Sequence, residues 1–257
     1  MSSEPSQIKH YEVKYSITKS MALEIGDYIR GFCSLDDHVP AGEDGYIVNT
    51  LYFDTPSLFL YFETKFRRPA RYKIRARYYG EHPTDFVWSE IKYRKSSMIW
   101  KTRRKIPVEQ WPELFRLQKS EQKGPIFKDR LDSFEDVVTW HGAQPVLFVR
   151  YFREPYVTQI EDYGRVTIDW GLAYRMANGS FDLAHDEEDL LFFDDPMTAI
   201  HFESPVILEI KVERLVPFWV IDMIRRFGLV QRPFSKYCYG IDNNMKYSPT
   251  LRSSVYR

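Results

Sequence analysis

Between residues 71 and 77 every second side chain is a cation: Arg71, Lys73, Arg75 and Arg77 alternate with Tyr72, Ile74, Ala76 and Tyr78. A period of two is the period of a β-strand, whose successive side chains point to opposite faces. One face then carries four positive charges in a row, and the other is mostly apolar. Same-face neighbours lie about 7 Å apart. At that separation two like charges repel by roughly 0.6 kcal/mol in water and about 2.4 kcal/mol at an effective dielectric near 20. A face that only meets water would intersperse acids to relieve this, so the row predicts an anion as its partner. Arg and Lys are suited to phosphate, Arg through its two-pronged fork and Lys as a point charge. Transfer of a phosphoryl group asks a protein mainly for in-line positioning and neutralised charge, and such rows supply both.

The same alternation recurs elsewhere. Glu90, Lys92 and Arg94 share a face, as do Lys101, Arg103 and Lys105; Tyr151 and Arg153; Arg165, Thr167 and Asp169; Glu209, Lys211 and Glu213; and Glu12 and Lys14. From the residues alone, Glu209 reads as the partner of a neighbouring cation, and Asp169 and Glu90 read either as second candidates for holding a metal ion or as carboxylates that orient arginines. Ser235 and Lys236, in the run Phe-Ser-Lys-Tyr at 234–237, can open a helix. His10 reads as a strand-end histidine, and both cysteines as small buried hydrophobes.

The elements that would position these residues follow from pattern. Residues 71–94 form two strands joined by a polar turn at 80–84, with a third strand over 98–108. Further strands fall at 10–15, 46–54, 145–156, 165–172 and 206–212, each rich in β-branched or aromatic residues. Thr18 or Ser20 caps a helix to about residue 32, with Met21, Ile25, Tyr28 and Ile29 as its buried stripe. Asp54-Thr-Pro-Ser caps a short helix to about 64, with Pro56 near its first turn. Residues 110–140 are less regular and read as helical, and 217–227 form a helix stopped by Gly228. Residues 1–7 read as a disordered lead. Strands dominate and no linker divides the chain, so one α+β domain over 1–257 is expected, around a largely antiparallel sheet. If the sheet closes, the cationic rows converge on one lumen, and about eight strands leave room for a small ligand.

The chain has 257 residues, 44% of them hydrophobic and 16% aromatic, enough for a sizeable core. Lys and Arg number 36 and so do Asp and Glu, which argues against a non-specific polyanion binder. The charge is segregated, however. Residues 63–105 hold 14 Lys or Arg against 4 acids, and 182–195 hold seven acids and no Lys or Arg. That acidic run reads equally as a solvated excursion. Two cysteines make no disulfide framework and no metal spacing. No apolar run reaches the roughly 18 residues that span a membrane, and a soluble cytoplasmic protein is expected.

The motifs Glu12-x-Lys14, Ile74-Arg75-x-Arg77-x-Tyr79-Gly80, Glu90-Ile-Lys92-x-Arg94, Tyr151-x-Arg153, Arg165-x-Thr-x-Asp169, Glu209-x-Lys211 and Phe234-Ser235-Lys236-Tyr237, in this order, resemble the triphosphate tunnel metalloenzyme superfamily. Within it they resemble the VTC-type polyphosphate polymerase domain, over nearly the whole chain. The resemblance implies a closed antiparallel tunnel with helices outside. It implies phosphate contacts from Lys14, Arg75, Arg77, Lys92, Lys101, Tyr151, Arg153, Arg165, Lys211, Ser235 and Lys236, with Lys92, Arg153, Lys211 and Lys236 closest to the chemistry. Lys65 stands near where the family has another cation. The resemblance also makes Glu209 the holder of Mn²⁺ or Mg²⁺. The implied activity is metal-dependent transfer of the ATP γ-phosphate onto inorganic polyphosphate, with no nucleic-acid partner.

One departure bears on the reaction. The hydrolytic CYTH branch opens with Glu-x-Glu-x-Lys, whereas here His10 precedes Glu12 and Lys14. Hydrolysis needs carboxylates to bind metal and direct a water, so fewer of them favour transfer. The rivals are an inorganic triphosphatase of the CYTH type and a non-enzymatic polyanion module that uses Tyr72, Tyr78, Tyr79, Trp88 and Tyr93 to stack single-stranded nucleic acid.

Overall fold

The computed structural model describes residues 11–95, 98–111, 113, 134–159, 164–195, 206–212 and 215–247. The lead at 1–7, His10, most of the helical stretch at 110–140 and Glu213 lie outside the described residues. The strands are β1 (Tyr11–Ile17), β2 (Cys33–Leu35), β3 (Tyr46–Asp54), β4 (Ala70–Tyr79), β5 (Phe86–Lys95), β6 (Met98–Pro107), β7 (Gln144–Thr158), β8 (Gly164–Met176), β9 (Leu191–Phe192) and β10 (Val206–Val212). The described helices are α1 (Lys19–Ile29), α2 (Phe59–Lys65), α3 (Phe134–His141), α4 (Phe218–Arg226) and α5 (Lys236–Tyr247).

The architecture is α+β on a ten-stranded sheet with the order β1-β10-β8-β7-β3-β4-β5-β6, β2 lying on β7 and β9 on β8. The ladders β1–β10, β10–β8, β3–β4, β4–β5 and β5–β6 are antiparallel. The sequence pattern anticipated eight of these strands. It missed β2 and β9, which at three and two residues are too short to show a period. Among the described residues no ladder joins β1 to β6. No described helix is long and apolar enough to cross a membrane.

The chain folds as two compact units. The first holds β1, α1, β2, residues 152–158 of β7, 164–172 of β8, β10 and α4. Its apolar cluster includes Tyr15, Ile25, Ile29, Val166, Ile168, Leu208, Ile210, Trp219 and Met223. Burying a side chain of this size stabilises by about 1.5–3 kcal/mol. Helix α1 begins where predicted, because the Met21 backbone N–H donates to Thr18 Oγ1 at 3.2 Å. It ends at Ile29, earlier than the periodicity suggested, and Phe32 beyond it stacks on Trp219 with ring centres 5.3 Å apart. At Gly45 the chain runs so close to β7 that an added Cβ would sit 2.1 Å from the Arg153 carbonyl oxygen.

The second unit holds β3, α2, β4, β5, β6, α3, residues 144–151 of β7, 173–176 of β8, β9 and α5. Ile74, Ala76 and Tyr78 of β4, with Val87 and Ile91 of β5 and Ile106 of β6, form one side of its core. Helix α2 starts later than Pro56. A turn closes first, with Leu58 N–H donating to the Thr55 carbonyl at 2.9 Å, and Leu58 takes a left-handed φ of 56°. Asp54 nevertheless caps the helix from a distance: its carboxylate accepts from the N–H groups of Leu60 at 2.8 Å and Tyr61 at 2.7 Å. The acids from Asp182 to Asp189 are exposed, but the backbone at the start of the run is anchored. Tyr78 Oη donates to the Leu183 carbonyl, Trp111 Nε1 to that of Phe181, and Arg175 to those of Asp182 and Ala184. It is held by side chains of the apolar face, the face opposite the cationic rows.

Candidate functional site

Strand register assembles the cationic face of the second unit. Across β4 and β5 the facing pairs are Arg71–Arg94, Lys73–Lys92, Arg75–Glu90 and Arg77–Trp88. Across β5 and β6 they are Trp88–Lys105, Glu90–Arg103 and Lys92–Lys101. Facing residues share a face of the sheet, so nine Lys or Arg lie on one surface with Glu90 as its one acid in these three strands. Lys73, Lys92 and Lys101 form a continuous row across three strands. Like charges directly opposite one another destabilise a sheet. At about 5 Å the repulsion is up to roughly 3 kcal/mol per pair at an effective dielectric near 20, reduced where the ammonium tips reach water.

Glu90 is the counterweight. Its side chain is only 2% exposed and pairs with Arg75 at 2.7 Å, Arg103 at 3.2 Å and Lys101 at 3.4 Å. Burial alone would raise its pKa, but Arg75, Arg77, Lys101 and Arg103 outweigh burial and hold it well below the usual carboxylate range. It therefore orients arginines. Arg77 is buried, with Nε donating to Thr50 Oγ1 at 3.2 Å. Burial opposes its charge, yet Tyr151, Glu90, Tyr79 and Tyr52 keep its pKa above the ordinary arginine value. Lys101 moves the other way: burial lowers its pKa, and the neighbouring arginines add to this against the attraction of Glu90.

The start of α5 meets this face. Ser235 Oγ accepts from Lys73 Nζ at 2.9 Å and from the Cys238 N–H at 3.3 Å. Both lone pairs are then used, which leaves the hydroxyl proton available to an acceptor. Ser235 is thus a helix cap and an acceptor from the face at once. Lys236 Nζ lies 4.3 Å from the centre of the buried Tyr151 ring. Tyr237 is pinned behind them, its hydroxyl donating to Asp54 at 2.5 Å.

The first unit carries a second cluster. Register places Lys14 opposite Glu209, and Glu12 opposite Lys211, on β1 and β10. Glu209 is 5% exposed and pairs with Lys14 at 3.0 Å and Lys211 at 2.6 Å. Burial would raise its pKa, but Lys14, Lys211 and Arg153 overcome that and hold it well below the ordinary value. Lys14 answers in kind. Burial lowers its pKa, while Glu209 and Glu12 more than compensate and leave it raised. Arg153 grips the fully buried Asp169 with two bonds, 2.7 and 2.9 Å. Arg165 faces Lys211 from β8 and pairs with Asp36 at 2.9 Å.

The predicted residues therefore fall into two sets. Arg75, Arg77, Lys92, Lys101, Tyr151, Ser235 and Lys236 lie in the second unit, and Lys14, Arg153, Arg165, Glu209 and Lys211 in the first. Lys65 joins neither, being paired with Asp242 of α5. Glu209 appears here in ion pairs, the role its neighbours alone suggested.

A family model described as the VTC domain matches residues 9–244. The chain belongs to the VTC domain family. All seven motifs of this VTC domain fall inside the matched span. No curated protein matches it. Among solved structures, a protein of Pyrococcus horikoshii OT3 is 13% identical, covering 91% of this chain and 98% of its own, with a TM-score of 0.44. A putative adenylate cyclase of Bacillus halodurans is 10% identical over 88% of this chain and 95% of its own, with a TM-score of 0.45. A putative adenylyl cyclase of Hippeastrum, described as having a dominant triphosphatase activity, is 13% identical over 88% and 92%, with a TM-score of 0.44. All three are distant.

Sequence patterns undervalued three parts of this VTC domain. Lys73 falls outside the motifs yet reaches Ser235. Asp54 reads as a helix cap but also anchors Tyr237. Tyr52 sits in a strand that carries no cation and gives no signal of chemistry. The aromatic set weighed for nucleic-acid stacking does not act together. Tyr78 is buried, and Tyr72 and Tyr93 pack on the apolar cluster. Tyr79 and Trp88 alone share the cationic face, where the Arg103 guanidinium lies 3.4 Å over the Trp88 ring.

Proposed function

We propose that this VTC domain is an enzyme that grips chains of condensed phosphate and transfers the γ-phosphate of ATP onto inorganic polyphosphate. The observation that carries this is the cationic face: nine Lys or Arg on three strands with one acid among them. Such a surface is stable chiefly when an anion with many oxygens lies on it. A phosphate chain repeats its charge every few ångströms and so matches a row spaced at about 7 Å on a strand and about 5 Å between strands. Arg75 and Arg77 would fork non-bridging oxygens, Lys92, Lys101 and Lys236 would supply point charges, and Ser235 would donate its free hydroxyl proton. Tyr151 would add a buried hydroxyl beside Arg77. In the other set, Lys14, Arg153, Arg165 and Lys211 would hold phosphate oxygens in the same way.

Among the described residues no three His, Cys, Asp or Glu side chains gather to hold a metal ion. Mg²⁺-like ions do not require such a cage, since they bind through one or two carboxylates together with substrate phosphates. Glu209 is the carboxylate in place for this. Directly opposite it on β8 stands Thr167, whose buried Oγ1 has no hydrogen-bond partner among the described residues, a second hard oxygen beside the first. The donor set therefore fits Mn²⁺ or Mg²⁺, held by Glu209. When bound, the ion would neutralise charge on the transferring phosphate. The proposal includes the closed tunnel and single domain expected from the sequence. Cys33 and Cys238, both buried and in no disulfide, suit a reducing cytoplasmic setting.

The test is the product formed from ATP with Mn²⁺, resolved by chain length. Long phosphate polymers support transfer, whereas free phosphate alone would replace it with hydrolysis. In Glu209→Gln turnover should vanish while metal-free triphosphate binding persists or tightens, because a repelling carboxylate is gone. Full metal-dependent turnover in that variant would refute the metal assignment.

A further inference from the structure

Tyr52 stands within the cationic face with its hydroxyl unused. It lies on β3 directly opposite Arg75, while its neighbours Leu51 and Phe53 enter the apolar cluster. The residue is 5% exposed, and its ring stacks on that of Tyr237 with centres 5.1 Å apart. Lys73, Arg75 and Arg77 from β4 and Lys236 from α5 all act on its hydroxyl. No described residue exchanges a hydrogen bond with that hydroxyl. A buried tyrosine hydroxyl normally finds a partner. The surrounding cations cannot be the acceptor, because Lys and Arg only donate. An acceptor would therefore come from outside the chain, and the four cations around the hydroxyl favour an anion over water.

We propose that Tyr52 is a phosphate-binding residue, its hydroxyl donating a hydrogen bond to a non-bridging oxygen of the phosphate chain held by Lys73, Arg75 and Lys236. The proposal rests on the phosphate-binding function above. It adds a neutral donor where a further cation would worsen the repulsion already present. A proton linkage follows. Burial raises the Tyr52 pKa in the free protein, but the four cations outweigh burial and leave it below the ordinary tyrosine value. A bound phosphate reverses this, because an anion that accepts the phenol proton favours the protonated form. The contribution to binding is therefore full below the free pKa and is lost as pH rises from the free to the bound value. Lys73, Arg75, Arg77, Lys236 and Tyr237 surround the same hydroxyl and are common to wild type and Tyr52→Phe, so the comparison isolates Tyr52.

The experiment compares triphosphate binding by calorimetry, without divalent metal, in wild type and Tyr52→Phe, alongside alkaline titration of tyrosinate absorbance with and without triphosphate. The variant keeps the ring and its stack on Tyr237, so the fold is preserved. At neutral pH the affinity should fall about tenfold, as for a lost hydrogen bond to a charged group. Wild type should show one tyrosine whose titration triphosphate moves to higher pH, and Tyr52→Phe should lack it. Equal affinities in the two proteins would overturn this role and leave the phosphate-binding function standing. Failure of wild type itself to bind triphosphate would overturn both.

Discussion

Replacing Glu90 by Gln keeps the side-chain shape and removes the acid that Arg75, Arg103 and Lys101 share. The three partners do not count equally. Arg75 is 17% exposed, Arg103 32% and Lys101 44%, so water screens the last two and the Arg75 pair carries most of the effect. Removing one partner of a buried pair costs about 3–5 kcal/mol. Gln can still accept from Arg75, so the lower figure, about 3 kcal/mol, applies. In a chain of this size each kcal/mol moves the melting temperature by about 2–4 °C, so the free variant should melt about 6–12 °C below wild type. Triphosphate should reverse the order of the responses. It supplies the negative charge that the variant lacks, so at equal concentration it should raise the melting temperature of Glu90→Gln more than that of wild type. The pH dependence has a definite sign. The folded-state pKa of Glu90 is depressed, so its contribution is present above the ordinary carboxylate range and is lost as pH falls through the folded value. Glu90→Gln should therefore lose part of the acid-side decline in stability. Differential scanning fluorimetry with and without triphosphate measures all of this. A variant that melts like wild type, or gains less from triphosphate, would refute the view that Glu90 alone balances the row.

Three further outcomes can be checked by urea unfolding. Asp54→Ala removes the acceptor of the Leu60 and Tyr61 N–H groups and the Tyr237 hydroxyl, and should cost about 2–4 kcal/mol, as for a lost helix cap with a buried donor left unpaired. Asp169→Ala strands the Arg153 guanidinium without its two-bond partner and should cost about 3–5 kcal/mol. Gly45→Ala drives a Cβ toward the Arg153 backbone, which cannot swing aside as a side chain can, and should cost about 1–3 kcal/mol, the usual range for overpacking.

The sequence by itself determined eight of the ten described strands, the faces they present and the family. Alternation at period two needs no tertiary information, so Arg71–Arg77, Lys92–Arg94 and Lys101–Lys105 declared their common face before any pairing was known. Spaced motifs such as Glu209-x-Lys211 and Phe234-Ser235-Lys236-Tyr237 marked the remaining candidate residues. Only the tertiary structure decided what balances them. Register between strands is a long-range choice, and it alone placed Glu90 against Arg103 and Arg75, Lys14 against Glu209, and Thr167 beside that carboxylate. The acidic run at 182–195 read in sequence as a solvated excursion, and only the tertiary structure showed that its backbone is anchored at Leu183 by Tyr78. Helix α5 showed only its first two residues in the pattern, because tertiary contacts from Lys73 and Asp54 fix its start. Tyr52 was silent for the same reason. Its strand carries no cation, and its chemistry comes from cations that neighbouring elements bring to it.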